Sequence, residues 1–188
     1  MSSVTWPFDP LQPYSWDMIM VDPPWQLKTY SEKGQAKAPE RHYKTLPIAQ
    51  IKKFPVADLA SPNAVLWCWC TNPMLDQQIE VVKYWGFKYV TCGAWLKITK
   101  NGKIGFGTGH RLRGSHEPFI IATIGRPDTS KSIRSAFLAP LRENSRKPDE
   151  AYEVAEKMMP GARRADIFSR QERPGWTSWG DETGKFAA

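Results

Sequence analysis

Cysteine and histidine are scarce, with three of each in 188 residues. Cys68 and Cys70 share a C-x-C spacing inside an apolar run, and Cys92 stands apart. No histidine cluster lies beside them, so four soft ligands cannot be gathered at zinc-site spacing, and no metal is expected. An odd count of this kind predicts reduced, buried thiols in a cytoplasmic protein. No stretch approaches the roughly 18 apolar residues of a membrane span, which argues against a membrane partner. The start, "MSSVTWPFDP", has neither the charge nor the apolar core of a secretory leader. Internal repeats and linker-like segments are also missing, so one domain over 1–188 is the reading.

What is present is ordinary in bulk and uneven in detail. Apolar residues make up 41% and charged residues 24%, which places the chain with globular proteins. The formal charge is +7. Residues 28–58 hold seven Lys/Arg against three acids, and residues 97–170 hold fifteen against eight. Such a surface favours a polyanion, nucleic acid first and an anionic membrane second, with a merely solvated basic face as the alternative. Two basic loops, at about 26–44 and 99–115, carry much of it.

Apolar runs and breakers alternate along the chain. "WDMIMVDPP" predicts a short buried strand stopped by prolines. "NAVLWCWC", "FKYVTCGAWLKI", "EPFIIATIG" and "RRADIFSR" predict four more strands. "NPMLDQQIEVVKYWG" predicts a helix capped by Asn72, with Leu75, Ile79, Val82 and Trp85 on one face. "KPDEAYEVAEKMM" predicts a second helix, residues 126–146 a polar segment, and "QERPGWTSWGDE" a tail loop. Strands alternating with helices imply an α/β fold with a mostly parallel central sheet, whose ligands sit beyond the carboxyl ends of the strands. Asp22 falls at such an end.

The residues after Asp22 sharpen its meaning. Pro23 and Pro24 fix two φ angles and remove two backbone donors, while their carbonyls remain as acceptors. Asp22 and the Pro23 carbonyl thus form a rigid acceptor pair, with the flat Trp25 beside it. That arrangement suits a planar group carrying an NH2, held so that its nitrogen lone pair is directed at an electrophile.

"DPPW" resembles the catalytic motif of amino-group methyltransferases that use S-adenosyl-L-methionine. The chain as a whole resembles the mRNA-adenosine N6-methyltransferase family. "HYKTLPIAQIKKFPVADL", "VLWCWCTN", "GTGHRLRGSHEPFIIATIG" and "SRKPDEAYEVAEKMMPGARRADIFSRQERPGWTSWGDE" resemble its further motifs in order, from about residue 16 to 182. The resemblance implies a Rossmann-like methyltransferase fold with circularly permuted motif order. The catalytic motif comes first, the cofactor segment last, and no G-x-G-x-x-G loop lies upstream.

By resemblance, Asp22 and Pro23 carry the target amine, Pro24 fixes the loop, and Trp25 contacts the base or walls the cofactor. Tyr43 covers an extruded base; Trp69 is core. Lys28, Arg111, Arg113 and His116 are expected on phosphates or bases, although the last three could equally pair with Glu117 as scaffold. His110 and His116 are not needed as general bases. Lys147 is expected to reach S-adenosyl-L-methionine, against the alternative of a solvated lysine at a helix start. Asp166 and Arg170 are expected along the adenosine or ribose, Asp181 and Glu182 on the ribose hydroxyls, and Asp9 at the cofactor's adenine. The family commonly has Asn and Gln or Glu where Asp181 and Glu182 stand.

The short chain, without a zinc finger or a long N-terminal extension, points to the bacterial or phage branch. The expected enzyme is a DNA adenine N6-methyltransferase of the restriction–modification kind, with DNA as partner. The same chemistry on RNA is the alternative, and a non-catalytic nucleic-acid-binding subunit a third reading that the intact motif opposes. A homodimer is the family's habit.

Overall fold

The computed structural model describes residues 6–26, 45–109, 111–142 and 146–185. Seven strands form one sheet: β1 (Trp16–Val21), β2 (Ala60–Trp69), β3 (Lys88–Ile98), β4 (His116–Ile124), β5 (Ala136–Pro140), β6 (Arg164–Ile167) and β7 (Thr177–Trp179). Their spatial order is β5-β3-β4-β2-β1-β6-β7. β4 runs antiparallel to both β2 and β3, and every other pairing is parallel. Six strands therefore share one direction and β4 opposes them, the mostly parallel sheet expected from the sequence.

Alternation within the strands divides the core into two layers. Ile19 and Val21 of β1, with Leu66 and Cys68 of β2, face one cluster. Met18 and Met20, with Val65, Trp67 and Trp69, face the other. Apolar side chains on both faces explain why these strands read as nearly unbroken apolar runs. The first face is covered by α2 (Leu75–Tyr84), which buries Val81 and Val82; a short α1 (Ile48–Ile51) buries Ile51 on the same side. The second face is covered by α3 (Asp149–Met158), through Ala151, Tyr152 and Ala155. Aromatic rings fill this second layer: Trp67 stacks on Phe119 at 3.8 Å, and Trp69 meets Trp67, Trp95 and Phe119 edge-on or tilted.

Several local expectations are corrected. β5 lies within the segment read as polar, and β7 within the tail read as loop. Both are short edge strands, where backbone pairing with β3 or β6 outweighs a weak apolar pattern. Asn72 does not cap α2. A 3-10 turn over Asn72–Met74 intervenes, and the Asn72 side chain instead meets His116 at 3.1 Å. Buried Gln78 secures this turn, accepting from the Thr71 amide at 2.9 Å and donating to the Thr71 hydroxyl at 3.1 Å. All three cysteines are free, but Cys92 is exposed and only Cys68 and Cys70 are buried. Among the described residues no helix is long and apolar enough to cross a membrane, and no group of His, Cys, Asp and Glu could hold a metal ion.

Candidate active site

β1 delivers Asp22 to the carboxyl end of the parallel strands, and the next residues are tied on three sides. The Asp22 amide donates to the Ile167 carbonyl of β6 at 3.1 Å, the last rung of the ladder before the prolines. Trp25 is buried, and its indole Nε1–H donates to the Trp69 carbonyl at the end of β2, at 2.9 Å. The Leu46 amide donates to the Pro24 carbonyl at 2.8 Å. The Pro23 carbonyl accepts the Trp25 amide at 2.7 Å, which leaves it one further lone pair. The Pro23 carbonyl next to Asp22 is thus half engaged by the backbone.

The Asp22 carboxylate ends a chain of alternating charges. Its Oδ2 lies 2.8 Å from Lys147 Nζ, which lies 2.9 Å from Glu117 Oε1. Glu117 Oε2 in turn lies 2.8 Å from Lys97 Nζ. Lys147 is only 8% exposed, and its ammonium sits 5.3 Å from the Trp69 ring centroid. A buried lysine start to a helix is the opposite of the solvated alternative. Two carboxylates outweigh the desolvation of this ammonium and raise the Lys147 pKa. Burial penalises the Glu117 anion, but Lys147 and Lys97 overcome it and draw its pKa down to about 2. At Asp22 the balance tips the other way. Burial raises its pKa by more than Lys147 lowers it, and Glu117 adds to the rise.

Glu117 was legible only as an unusual residue beside His116. It opens β4, and it reaches the carboxyl end of β1 because β4 is the strand that runs backwards. Lys97, near the end of β3, arrives by the same pairing.

Asp22, Lys147, Asp166 and Arg170 come together around a narrow cleft of about 20 Å³, with Tyr152 and Ser169 also in its wall. Phe168 makes the wall possible. It takes a left-handed φ of 60°, turning the chain out of β6 so that Ser169 and Arg170 face the cleft. Asp166 is buried, with the Tyr152 hydroxyl 2.9 Å and the Ser169 hydroxyl 2.7 Å from its Oδ2. Burial lifts its pKa to about 6 in spite of those donors. Arg170 Nε donates to Glu182 Oε2 at 2.7 Å, which brings Glu182 to the cleft rim through Arg170.

The other expected residues lie elsewhere. Asp9 is exposed in the turn before β1 and does not line the cleft. Asp181 is exposed beside Glu182. Arg111 and Arg113 are exposed in the loop between β3 and β4, Arg113 lying 5.8 Å from the Phe106 ring, and His116 turns to Asn72. Lys28, Tyr43 and His110 fall outside the described residues.

The donor set suits a nucleoside-linked amino acid. Lys147 has three N–H groups and two carboxylate partners, so one donor remains for a carboxylate or carbonyl. Glu182, at the rim, offers carboxylate acceptors for vicinal hydroxyls. Backbone crowding supports the same wall: a Cβ on Gly180 would come within 2.5 Å of the Ser169 carbonyl, so the tail packs tightly on the turn after β6.

Comparison with known proteins identifies the setting. The MT-A70 family model matches residues 16–182. The chain is 29% identical to the N(6)-adenine-specific methyltransferase METTL4 of Homo sapiens, over 92% of this chain and 38% of that protein. It is 29% identical to the N(6)-adenosine-methyltransferase MT-A70-like of Arabidopsis thaliana, over 88% of this chain and 23% of that protein. It is 28% identical to the N6-methyladenosine RNA methyltransferase MTA1 of Cryphonectria parasitica, over 90% of this chain and 52% of that protein. The chain thus spans at most about half the length of these relatives.

These similarities correct the bacterial or phage DNA branch, and with it the DNA substrate, the DNA partner and the restriction–modification setting. The relatives come from a mammal, a plant and a fungus, and their names specify adenine, adenosine or RNA. The chemistry of "DPPW" is shared across substrates, so the branch rested on short length and on the lack of a zinc finger or long N-terminal extension, which were poor guides. The chain belongs to the MT-A70 family, with the Rossmann-like fold, permuted strand topology and S-adenosyl-L-methionine dependence of its methyltransferases.

Proposed function

We propose that this chain methylates the N6 amine of adenine in RNA. The observation that carries the reading is Asp22: a carboxylate at a strand end, backed by two prolines and held at 2.8 Å by a buried lysine. With Oδ2 taken by Lys147, Oδ1 accepts one hydrogen of the target amine. The free lone pair of the Pro23 carbonyl accepts the other. An adenine amine is conjugated with its ring, and holding both hydrogens favours the geometry in which the nitrogen lone pair can attack.

Lys147 opposes the cost of burying the Asp22 carboxylate and fixes its rotamer. Glu117 and Lys97 hold Lys147 in turn. Trp25, pinned to Trp69, sets the position of the loop as a whole. No side chain needs to serve as a tuned base, because an amine that has lost its lone pair to a methyl group gives up its proton readily. Bound S-adenosyl-L-methionine supplies the electrophilic methyl group. Lys147, Arg170 and, through Arg170, Glu182 would hold it.

RNA is favoured over other polyanions by the names of the relatives and suits the charge of +7. An adenine in a single-stranded segment is already free of pairing, so the pocket need not extract it from a duplex. The reading is tested by incubating the protein with labelled S-adenosyl-L-methionine and matched RNA and DNA, single- and double-stranded, followed by nucleoside analysis. Labelled N6-methyladenosine from RNA is expected. Label confined to DNA, or to another base, contradicts the reading.

A further inference from the structure

A second cavity lies far along the sheet from Asp22, on the face that carries α3. It has a volume of about 420 Å³, within the usual range for small-molecule sites. The start of β3 (Val90–Gly93), the later part of β4 and the segment 125–135 surround it, and Val154 and Met158 of α3 close one side. Because β4 runs antiparallel, the later part of β4 lies at the end of the sheet opposite Glu117. The cavity and the catalytic cleft share no lining residue.

Its walls have two characters. The interior is apolar, made by Val65, Trp67, Phe119 and Ile121 with the two α3 side chains. The rim carries Arg126 and Arg134, both exposed, and neither guanidinium has an ion-pair or hydrogen-bond partner among the described residues. The hydroxyls of Thr129, Ser130 and Ser135 lie on the same segment. The acid nearest in sequence, exposed Asp128, does not line the cavity. Gly93 keeps the interior narrow but open, since a Cβ there would stand 2.2 Å from the Phe119 ring. An apolar hollow with two unneutralised cations at its mouth matches one class of ligand by charge and by volume.

We propose that this cavity binds a small amphipathic anion, an apolar body bearing a single carboxylate, sulfonate or phosphate, with the body against Trp67 and Phe119 and the anion between Arg126 and Arg134. The inference does not depend on the methyl-transfer reading. Arginine is the suited cation, because its planar fork meets such anions through two donors at once.

The two arginines and Val154 make the test specific to the site. The probes are 8-anilinonaphthalene-1-sulfonate, with a flat body, decanoate, with a flexible one, and uncharged decanol, each titrated calorimetrically. Saturable 1:1 binding of at least one anion is expected. Arg126→Ala with Arg134→Ala should weaken the anion about tenfold and leave decanol unchanged. Val154→Trp, which fills the hollow, should abolish binding; the paired arginine variant alters only exposed side chains and decides the matter if Val154→Trp fails to fold. Binding of one anion and not the other identifies the body as flat or flexible. No saturable binding of either anion, or anion affinity unchanged in the paired variant, overturns the proposal.

Discussion

Lys147 is the residue on which the proposed catalytic geometry turns. It joins two carboxylates that would otherwise repel one another in a poorly solvated site. Its replacement by Met should cost about 3–5 kcal/mol of stability, the usual penalty for leaving a buried charge without its partner, and should reduce methyl transfer at least a hundredfold. Lys147→Arg should recover much of the stability and little of the activity, since a planar guanidinium cannot hold the same two oxygens in the same places. Thermal melts and initial rates on the two variants check both statements. Equal activity in Lys147→Met would remove Lys147 from the mechanism. Asp22 was legible from its setting alone: a strand end, two prolines and an aromatic. Lys147 was legible only through resemblance. Glu117 was not assigned, because its role depends on a neighbouring strand's direction, which no local pattern encodes.

The loop after β1 depends on its attachment to β2. Trp25 makes that attachment through one buried N–H to the Trp69 carbonyl. Trp25→Phe keeps most of the apolar contact and leaves the carbonyl without this donor, at a cost of about 1–3 kcal/mol. The same change should lower kcat more than it raises KM for RNA, because the displaced groups are those proposed to meet the amine. A rise in KM alone would point instead to direct contact between Trp25 and the substrate. A second prediction concerns the pairing of β3 with β4. Gly93→Ala forces a methyl into the Phe119 ring and toward the Ser135 carbonyl, and should destabilise by about 1–3 kcal/mol in denaturant unfolding. The five strong strands and both longer helices were visible as apolar runs and helical spacing. β5 and β7 were not, since an edge strand that pairs on one side needs little apolar signal. The missing Asn72 cap has a similar origin: its side chain is drawn to His116, a partner 44 residues away.

Across the molecule, buried acids set opposing pH dependences. Glu117 falls from an ordinary 4.5 to about 2 in the folded state. Its contribution is therefore present above pH 4.5 and is lost as pH falls through about 2, and is worth on the order of 3 kcal/mol. Asp166 rises from 3.8 to about 6, so its contribution is full below 3.8 and is lost as pH rises through about 6. The raised Asp22 acts in the same sense as Asp166. A Tm maximum between about pH 3.8 and 4.5 follows from these two acids, with Tm falling toward pH 2 on one side and toward pH 6 on the other. Glu117→Gln should flatten the acid side of the profile, and Asp166→Asn the alkaline side. A profile unchanged by either substitution would contradict the assignment. The global fold was legible from the alternation of strands and helices, whereas the substrate was not: an acceptor pair of the kind proposed for the amine is indifferent to the polymer that carries it.

The central claim is that the carboxylate at the end of β1 positions an RNA adenine amine for methyl transfer. Single-turnover formation of N6-methyladenosine on adenosine-containing RNA, compared between the native protein and Asp22→Ala, tests it most directly. The account predicts RNA-dependent product from the native protein and a loss of at least a thousandfold in the variant, with its thermal melt and S-adenosyl-L-methionine binding largely retained. Product formed by Asp22→Ala at the native rate would contradict it.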